Sequence, residues 1–412
     1  MKVNGIIAEY NPFHNGHQYQ LEESRRITGA DYTVVALSGN FVQRGAPALL
    51  DKHSRTEMAL RGGADLVLEL PAIYSVSSAE YFAQGAVSLL SSLNVITNLC
   101  FGCESGDVTL LSQIAQILAE EPPEFSELMK SYLHQGHSYP FARSSALMQY
   151  FPPLAYNNSI FSAANNILGI EYIKAILRQN SPLKPMAVKR LGPGYHNLVP
   201  DAQYCSALSI RHAIWEQEND ASCVQAYIPE SVRELLSARI AEKRIVRSNH
   251  FSSALYYKLL SEKECGYAKY LDVSQSLTDR IVNSLDRFVN YDDFCNLLKT
   301  KELTYARISR CLLHILLNIT KEDMALCTEL GHTPYARVLG FRRSASPLLS
   351  AIKKNSSIPL ITKLADAEKQ LDEDSVNMLK QDIQISQLYH GVVAGLTESE
   401  PLNEYTIPLV IL

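Results

Sequence analysis

The chain has 412 residues, of which 46% are hydrophobic and 20% are charged, and its 38 basic and 43 acidic side chains give a formal net charge of −5. This composition supports a buried core and excludes a disordered protein, and the charge is not that of a strongly basic nucleic-acid binder. The length predicts two domains, or three.

The first half of the chain alternates apolar runs typical of strands with segments of helical periodicity. The predicted strands are VNGIIA, DYTVVALS, DLVLELP, TNLCFG and LKPMAVKRL. The predicted helices between them are NGHQYQLEESRRIT, SRTEMALRGG, SSAEYFAQGAVSLLSSL and DVTLLSQIAQILAEE, followed by a helical region before the fifth strand. This alternation predicts an α/β fold with a parallel sheet, which binds ligands at the carboxyl ends of its strands.

The second half has a different pattern. From roughly residue 213 onward, apolar residues recur at helical spacing, as in SVRELLSARIAEKRIV and TYARISRCLLHILLNI. Strand-like patterns return only in IPLITK and YTIPLVIL. We therefore predict an α/β domain with a parallel sheet over 1–215 and a mostly helical domain over 216–412.

The turn after the first strand, within EYNPFHNGHQYQLEESRR, combines a proline, a glycine and two histidines. Pro12 cannot continue a strand ladder, and Gly16 lets a ligand approach the backbone closely. The helix that follows presents free N–H groups and the positive end of its dipole, which together favour an anion. His14 and His17 add donors for phosphate oxygens, so the turn is a candidate phosphate site.

Other interpretations of these residues stay open on the motif alone. The histidines could be capping or surface residues, or zinc ligands, although the HExxH spacing and a third ligand are absent. Cys100 and Cys103 form a lone CxxC, for which buried thiols are the expected state. Neither GxxxxGK[ST] nor GxGxxG occurs, which argues against kinases, GTPases and dinucleotide-binding enzymes. No metal ligands are predicted.

The location of the protein can also be predicted. The eight cysteines are scattered, which indicates reduced thiols rather than a disulfide framework. Asn4 and Glu9 interrupt the first apolar run, so no signal peptide is expected. No run approaches ~18 apolar residues, so we expect no membrane span and a cytoplasmic protein.

HNGH in this position resembles the HxGH signature of the nucleotidyltransferase superfamily, which implies a Rossmann-like fold for 1–215. CSALSIR resembles the second signature of that superfamily, with Ser206 and Arg211 matching, Leu208 where a threonine is expected, and Ser209 as a substitute hydroxyl. Longer stretches resemble the bacterial tRNA(Met) cytidine acetate ligase family, namely GIIAEYNPFHNGH, SGNFVQRGAPA, DLVLELP, FGCESGD, NNILGIEYIKA, VKRLGPGYH and PYARVLGFRR.

This resemblance implies an ATP-dependent ligase. Such an enzyme activates acetate as acetyl-adenylate, releases pyrophosphate, and transfers the acetyl group to the wobble cytidine of elongator tRNA(Met), forming N4-acetylcytidine. The implied partners are ATP as substrate with Mg²⁺, acetate and elongator tRNA(Met), with no tightly bound cofactor. Two alternatives remain: a small-molecule adenylyltransferase of the same superfamily, and a non-catalytic nucleotide- or RNA-binding protein.

Site residues follow from the resemblance and from the charge pattern. The predicted catalytic residues are His14, His17 and Arg44, the last because its guanidinium can pair with a carboxylate. The predicted ATP-binding residues are Ile7, Ala8, Glu9, Tyr10, Asn11, Pro12, Phe13, His14, Asn15, Gly16, His17, Gln18, Tyr19, Gln20, Gly102, Asn165, Asn166, Lys189, Arg190, Leu191, Ser206 and Arg211. The predicted tRNA-binding residues are Lys52, Arg337, Arg342, Arg343, Lys353 and Lys354.

Overall fold

A computed structural model of the chain describes residues 1–152, 158–161, 163–191, 204–217 and 220–412. Its strands are β1 (Val3–Ala8), β2 (Tyr32–Ser38), β3 (Phe41–Val42), β4 (Ala46–Pro47), β5 (Leu66–Leu70), β6 (Asn98–Cys103), β7 (Lys184–Lys189), β8 (Ala336–Phe341), β9 (Leu360–Ile361) and β10 (Val410–Ile411). The GPGYH part of VKRLGPGYH lies outside the described residues.

Helices account for most of the remaining described residues. They are α1 (Asn15–Thr28), α2 (Lys52–Arg61), α3 (Ala72–Ser75), α4 (Ala79–Ser92), α5 (Val108–Glu120), α6 (Pro123–His134), α7 (Tyr139–Tyr150), α8 (Ala164–Arg178), α9 (Ala207–Glu216), α10 (Glu230–Ala241), α11 (Ser252–Ser261), α12 (Gln275–Ser284), α13 (Tyr291–Leu298), α14 (Tyr305–Leu316), α15 (Lys321–Glu329), α16 (Ser346–Asn355) and α17 (Glu373–Thr397). Among the described residues, no helix combines the length and the apolar character that crossing a bilayer requires.

Five parallel strands lie side by side in the main sheet in the order β5-β2-β1-β6-β7. Gly5 on β1 pairs with Val34 on β2 and with Leu99 on β6. The predicted α/β fold with a parallel sheet is confirmed. The strand order reverses at β1, which opens a crevice beyond the carboxyl ends of β1 and β6.

Helices cover both faces of the sheet, because successive residues of a strand point to opposite sides. Ile6 packs on one face in a cluster with Leu21 of α1 and Met58 of α2. Ile7 packs on the other face in a cluster with Leu90 of α4 and Ile170 of α8. The parallel strands are therefore buried on both sides, as their continuous apolar sequences indicate.

Three strands from the second half extend this same sheet. β8 pairs antiparallel with β5, and both β9 and β10 pair with β8. The expectation that strand-like segments return only in IPLITK and YTIPLVIL is wrong, because residues 336–341 are largely buried and form a strand of the main sheet. The division into domains at 215/216 stays a prediction, although both segments contribute to one sheet.

A cluster of four buried charges, here called the buried ionic cluster, joins the two halves: Lys52, Glu69, Arg337 and Glu404. Lys52 Nζ lies 2.7 Å from Glu69 Oε1 and 3.0 Å from Glu404 Oε2, and Arg337 Nη1 lies 2.9 Å from Glu69 Oε2. Each of the four residues is at most 5% exposed. The prediction that Lys52 and Arg337 bind tRNA is therefore wrong, because both side chains are buried and paired with carboxylates.

Candidate active site

The turn between β1 and α1 places the two histidines at the start of α1. His14 is the N-cap, and its Nδ1 accepts a hydrogen bond from the Gly16 N–H at 3.0 Å. His17 Nδ1 accepts in return from the His14 N–H at 3.3 Å, which completes a capping box. A Cβ atom on Gly16 would lie 2.9 Å from His14 Cε1, so glycine at this position makes room for the imidazole ring.

These hydrogen bonds fix the tautomer of both rings. Because each Nδ1 accepts from a backbone N–H, the proton of each neutral imidazole is assigned to Nε2. The two rings stack with centroids 3.7 Å apart. Burial, with Arg190 and Arg211 nearby, lowers the pKa of His14 to about 3, and burial together with His14 and Arg190 holds the pKa of His17 well below its usual value. Near neutral pH the pair therefore offers two neutral N–H donors.

The turn is held by hydrogen bonds from three other segments of the chain. Arg55 on α2 is fully buried and donates to the Glu9 carbonyl at 2.7 Å. Asn11 Oδ1 accepts from the Leu49 N–H at 2.7 Å, and the Asn11 carbonyl accepts from Arg211 Nη1 at 2.6 Å. Arg211, a predicted ATP-binding residue, thus ties α9 to the turn. Arg55 was not predicted, because nothing local in the sequence indicates that its partners are main-chain carbonyls.

The start of α9 lies beside this turn, as its signature indicates. Ser206 is the N-cap, and its Oγ accepts from the Ser209 N–H at 3.1 Å. The two hydroxyl oxygens are 2.8 Å apart. Ser209 as a substitute for the threonine expected at Leu208 stays a prediction.

A cavity of about 430 Å³ opens at the carboxyl ends of β1 and β6. Its volume is within the usual range for ligand pockets, about 300–1,000 Å³. The predicted site residues that line it are Ile7, Ala8, Glu9, Tyr10, Asn11, His14, His17, Gln20, Arg44, Gly102, Asn165, Arg190 and Ser206. A narrower recess beside it is lined by the predicted residues His14, Gly16, Tyr19, Gln20, Gly102, Lys189, Arg190, Leu191 and Ser206.

Phe13, Asn15 and Gln18, also predicted to bind ATP, lie around the turn and in α1 and do not line the cavity or the recess. Phe13 is fully buried beside Pro12, within the apolar cluster of α1 and α2. Asn15 Nδ2 donates to the Ala226 carbonyl at 2.9 Å, and Gln18 Nε2 donates to a carboxylate of the same helix at 2.8 Å. Asn15 thus ties the start of α1 to a distant segment, while Gln18 makes a contact within the helix.

The two asparagines of α8 have different positions. Asn165 lines the cavity, and its Nδ2 donates to Glu104 Oε1 at 2.7 Å. Asn166 is buried, and its Oδ1 accepts from the N–H groups of Glu104 and Ser105 at 3.0 and 3.1 Å. Asn165 is thus the better candidate for a nucleotide contact, while Asn166 shapes the loop after β6.

Arg44 reaches the cavity from the β3–β4 hairpin. The Gln43 N–H donates to Glu9 Oε1 at 2.8 Å, which ties the hairpin to the turn after β1. The second half of the chain supplies Ala306 and Arg310, both on α14, to the same cavity wall. These two residues were not predicted as part of the cavity. Their i, i+4 spacing places them on one face of α14, but only the fold shows which element that face meets.

An apolar wall lines another part of the cavity and was also missed. It includes Phe82 of α4, Phe101 of β6, and Leu168 and Tyr172 of α8. The rings of Phe101 and Tyr172 have centroids 5.8 Å apart. The spacing of Asn165, Leu168 and Tyr172 along one helical face is a signal that could have found them.

The remaining predicted tRNA-binding residues lie at β8 and α16. Arg342 is half-buried, and its Nε donates to the Leu60 carbonyl at 2.9 Å. Arg343, Lys353 and Lys354 are exposed. Their contact with tRNA stays a prediction, while the guanidinium of Arg342 has a main-chain partner.

The described residues include no group of three or more histidine, cysteine or acidic side chains placed to hold a metal ion. Cys100 and Cys103 are both buried free thiols. Burial raises the pKa of Cys100 to about 12 and raises that of Cys103. The lone CxxC is thus a pair of protonated thiols in the strand, as its sequence context indicates.

Sequence comparison relates the chain to known enzymes over its whole length. The family model described as HIGH Nucleotidyl Transferase matches residues 1–402. Proteins named tRNA(Met) cytidine acetate ligase from Halothermothrix orenii and Acetivibrio thermocellus are each 40% identical to this chain. Both alignments cover 100% of this chain, and they cover 99% of the first relative and 100% of the second. The protein of that name from Clostridium kluyveri is 42% identical over 94% of each chain.

Solved structures agree with the sequence comparison. The crystal structure of Thermotoga maritima TmcAL in its apo form superposes with a TM-score of 0.94 at 32% identity, covering 100% of both chains. TmcAL bound with alpha-thio ATP superposes with a TM-score of 0.91, again at 32% identity over the whole of both chains.

Proposed function

Since the chain belongs to the HIGH nucleotidyl transferases and, among them, to the family of tRNA(Met) cytidine acetate ligases, we propose that its cavity holds ATP and acetate together and joins them as acetyl-adenylate. The protein is a ligase that depends on ATP and modifies tRNA(Met). We further propose that acetyl-adenylate is the intermediate, that acetate is the acid and that Mg²⁺ accompanies ATP, with the residue roles given below.

The observation that carries this proposal is the pair of neutral imidazoles at the start of α1. His14 and His17 have their protons on Nε2, and both rings line the cavity beside Arg190. Two N–H donors, a guanidinium and the positive end of a helix dipole suit the triphosphate of ATP. These groups would stabilise the charge that develops when pyrophosphate leaves.

The bond changes of the proposed reaction fit this arrangement. A carboxylate oxygen of acetate attacks the α-phosphorus, the bond from that phosphorus to the bridging oxygen breaks, and its electrons leave with pyrophosphate. The exocyclic amine of the wobble cytidine then attacks the acetyl carbonyl, and AMP leaves with the mixed-anhydride oxygen. The cytidine amine finally loses its proton to give the acetylated base.

Mg²⁺ would accompany the triphosphate. Among the described residues that line the cavity, Glu9 carries the one carboxylate. Mg²⁺ in nucleotide sites is usually held by phosphate oxygens, water and one or two carboxylates, so this residue set fits the ion. When bound, the ion would neutralise charge on the phosphates.

The tRNA would meet the exposed basic residues Arg343, Lys353 and Lys354. Lysine and arginine side chains contact phosphates without reading sequence, so these residues would position the RNA rather than select it. Because its substrate is tRNA, we place the protein in the cytoplasm.

The decisive experiment supplies ATP, Mg²⁺, labelled acetate and unmodified elongator tRNA(Met) without acetyl-CoA, and searches the digested RNA for N4-acetylcytidine by mass spectrometry. His17→Ala should lower turnover at least about 100-fold, because a charge-stabilising donor is lost, while tRNA affinity stays within twofold. His134→Ala, an exposed histidine on α6, is the matched control.

Two outcomes would contradict the proposal. Pyrophosphate release with a phosphorylated metabolite and no RNA would identify a small-molecule adenylyltransferase. ATP binding without any pyrophosphate release would identify a nucleotide-binding protein.

A further inference from the structure

One end of the cavity, here called the arginine end, is formed by Gln43, Arg44, Ala306 and Arg310. Its residues come from segments more than 250 positions apart, the β3–β4 hairpin and α14. This end lies next to Glu9, whose carboxylate accepts from the Gln43 N–H at 2.8 Å. The histidines and Arg190 belong to the same cavity and already account for the triphosphate.

The hairpin and α14 are in direct backbone contact. Gly45 has φ of +78°, and a Cβ atom there would clash with the backbone nitrogen of Arg310. Ser309 Oγ donates to the Gly45 carbonyl. This docking fixes the backbones that carry Arg44 and Arg310 against each other.

The same helix also reaches the apolar wall. His314, one turn after Arg310, has Nε2 3.0 Å from the Val76 carbonyl. Val76 lies three residues before the start of α4 at Ala79, and Ala79 and Phe82 of this helix line the cavity. The arginine end therefore has cationic and apolar surfaces close together.

The charge of this end favours a small anion. Arg310 is half-buried, and its Nε is buried without a hydrogen-bond partner among the described residues. Burial lowers the pKa of the Arg310 guanidinium, with Asp272 opposing and Arg44 adding to the shift. An anion between two guanidiniums would relieve their repulsion and supply the missing acceptor.

We propose that Arg310, together with Arg44, binds the carboxylate of the acid substrate, while Phe82 and Ala306 limit the room for its alkyl group. A guanidinium fork matches the two oxygens of a carboxylate, which suits this task better than a point charge. Held in this way, the acid lies beside the triphosphate, and the two guanidiniums screen the repulsion between its carboxylate and the phosphates. One carboxylate oxygen of the acid then attacks the α-phosphorus. This inference rests on the proposed function.

The test is acetate-dependent exchange of labelled pyrophosphate into ATP, measured without tRNA. Arg310→Gln should raise the KM for acetate about 10- to 100-fold, as expected for the loss of a charge-assisted bidentate contact. Arg310→Lys, which keeps the charge but not the fork, should lie between wild type and the glutamine variant. The KM for ATP should change less than twofold in both, which also shows that each variant is folded.

Arg307→Gln is the matched control, since Arg307 is exposed and precedes Arg310 by one turn of the same helix. It should exchange pyrophosphate like the wild type. An unchanged KM for acetate in both Arg310 variants, with a raised KM for tRNA in the complete reaction, would overturn the proposal and assign Arg310 to the RNA. Absence of acetate-dependent exchange in the wild type would instead contradict the proposed function itself.

Discussion

Removing the charge of Glu404 tests the buried ionic cluster. Glu404 is 2% exposed and accepts from Lys52 Nζ at 3.0 Å, from Arg337 Nη2 and from Ser386 Oγ. Although burial alone would raise its pKa, Lys52 and Arg337 help to hold the pKa of Glu404 well below its usual value, so the carboxylate is ionised. Glu404→Gln keeps the shape but leaves two buried cations with one carboxylate, Glu69.

The expected loss can be estimated from these contacts. Hydrogen bonds to charged groups contribute about 1.5–3 kcal/mol each, and breaking a buried pair by removing one partner costs about 3–5 kcal/mol. We therefore expect Glu404→Gln to lower the free energy of unfolding by about 3–5 kcal/mol in urea titrations followed by circular dichroism. Adding Lys52→Met should restore part of this loss, because one unpaired cation is removed.

The control is an exposed ion pair of similar length. Glu368 Oε1 lies 2.8 Å from Lys380 Nζ, with both side chains at least half exposed. Glu368→Gln should change the free energy of unfolding by less than about 1 kcal/mol. A loss below about 1 kcal/mol for Glu404→Gln as well would refute the view that this cluster stabilises the fold.

Three further outcomes are expected. Gly45→Ala should destabilise the protein by about 1–3 kcal/mol and raise the KM for acetate, because φ is positive and the new Cβ would clash with the backbone nitrogen of Arg310. Chemical denaturation measures the loss of stability, and pyrophosphate exchange measures the KM. Asn166→Ala should cost about 1–3 kcal/mol, since two N–H groups lose their acceptor; unchanged urea unfolding would contradict this. His14 and His17 are neutral in the folded protein but take up protons near pH 6.5 when the protein is unfolded. The free energy of unfolding should therefore fall as the pH drops from 6.5 towards 3, by up to about 1.4 kcal/mol per pH unit for each histidine. Melting curves at several pH values check the sign, and the variant with both His14→Asn and His17→Asn should show a weaker pH dependence.

The parallel core of the fold could be predicted because its signals are local. Strands such as VVALS and LVLEL are continuous apolar runs, which a sheet covered on both faces requires. The turn around His14 was located in the same way, since a strand, a glycine and a helix start follow each other within a few residues. The capping box between His14 and His17 explains this spacing in physical terms.

The residues whose surroundings were not predicted correctly have their partners far away in the sequence. Lys52 and Arg337 look like surface cations in sequence, because Glu404, which neutralises both, lies 352 and 67 positions away. β8 joins β5 antiparallel, a pairing that helical periodicity in the flanking segments conceals. Arg310 belongs to the cavity only because Gly45 lets the hairpin rest on α14.

The attachment of β8 to β5 also affects how the protein is made. A ribosome completes β1, β2 and β5 long before it reaches residues 336–341, so β5 remains an open sheet edge while the intervening chain is synthesised. Exposed apolar edge strands are templates for aggregation, and pairings of long sequence separation form slowly. An expressed fragment covering 1–215 would keep this edge unpaired permanently and leave Lys52 and Glu69 without Arg337 and Glu404. Coexpression with 216–412 should therefore improve its solubility.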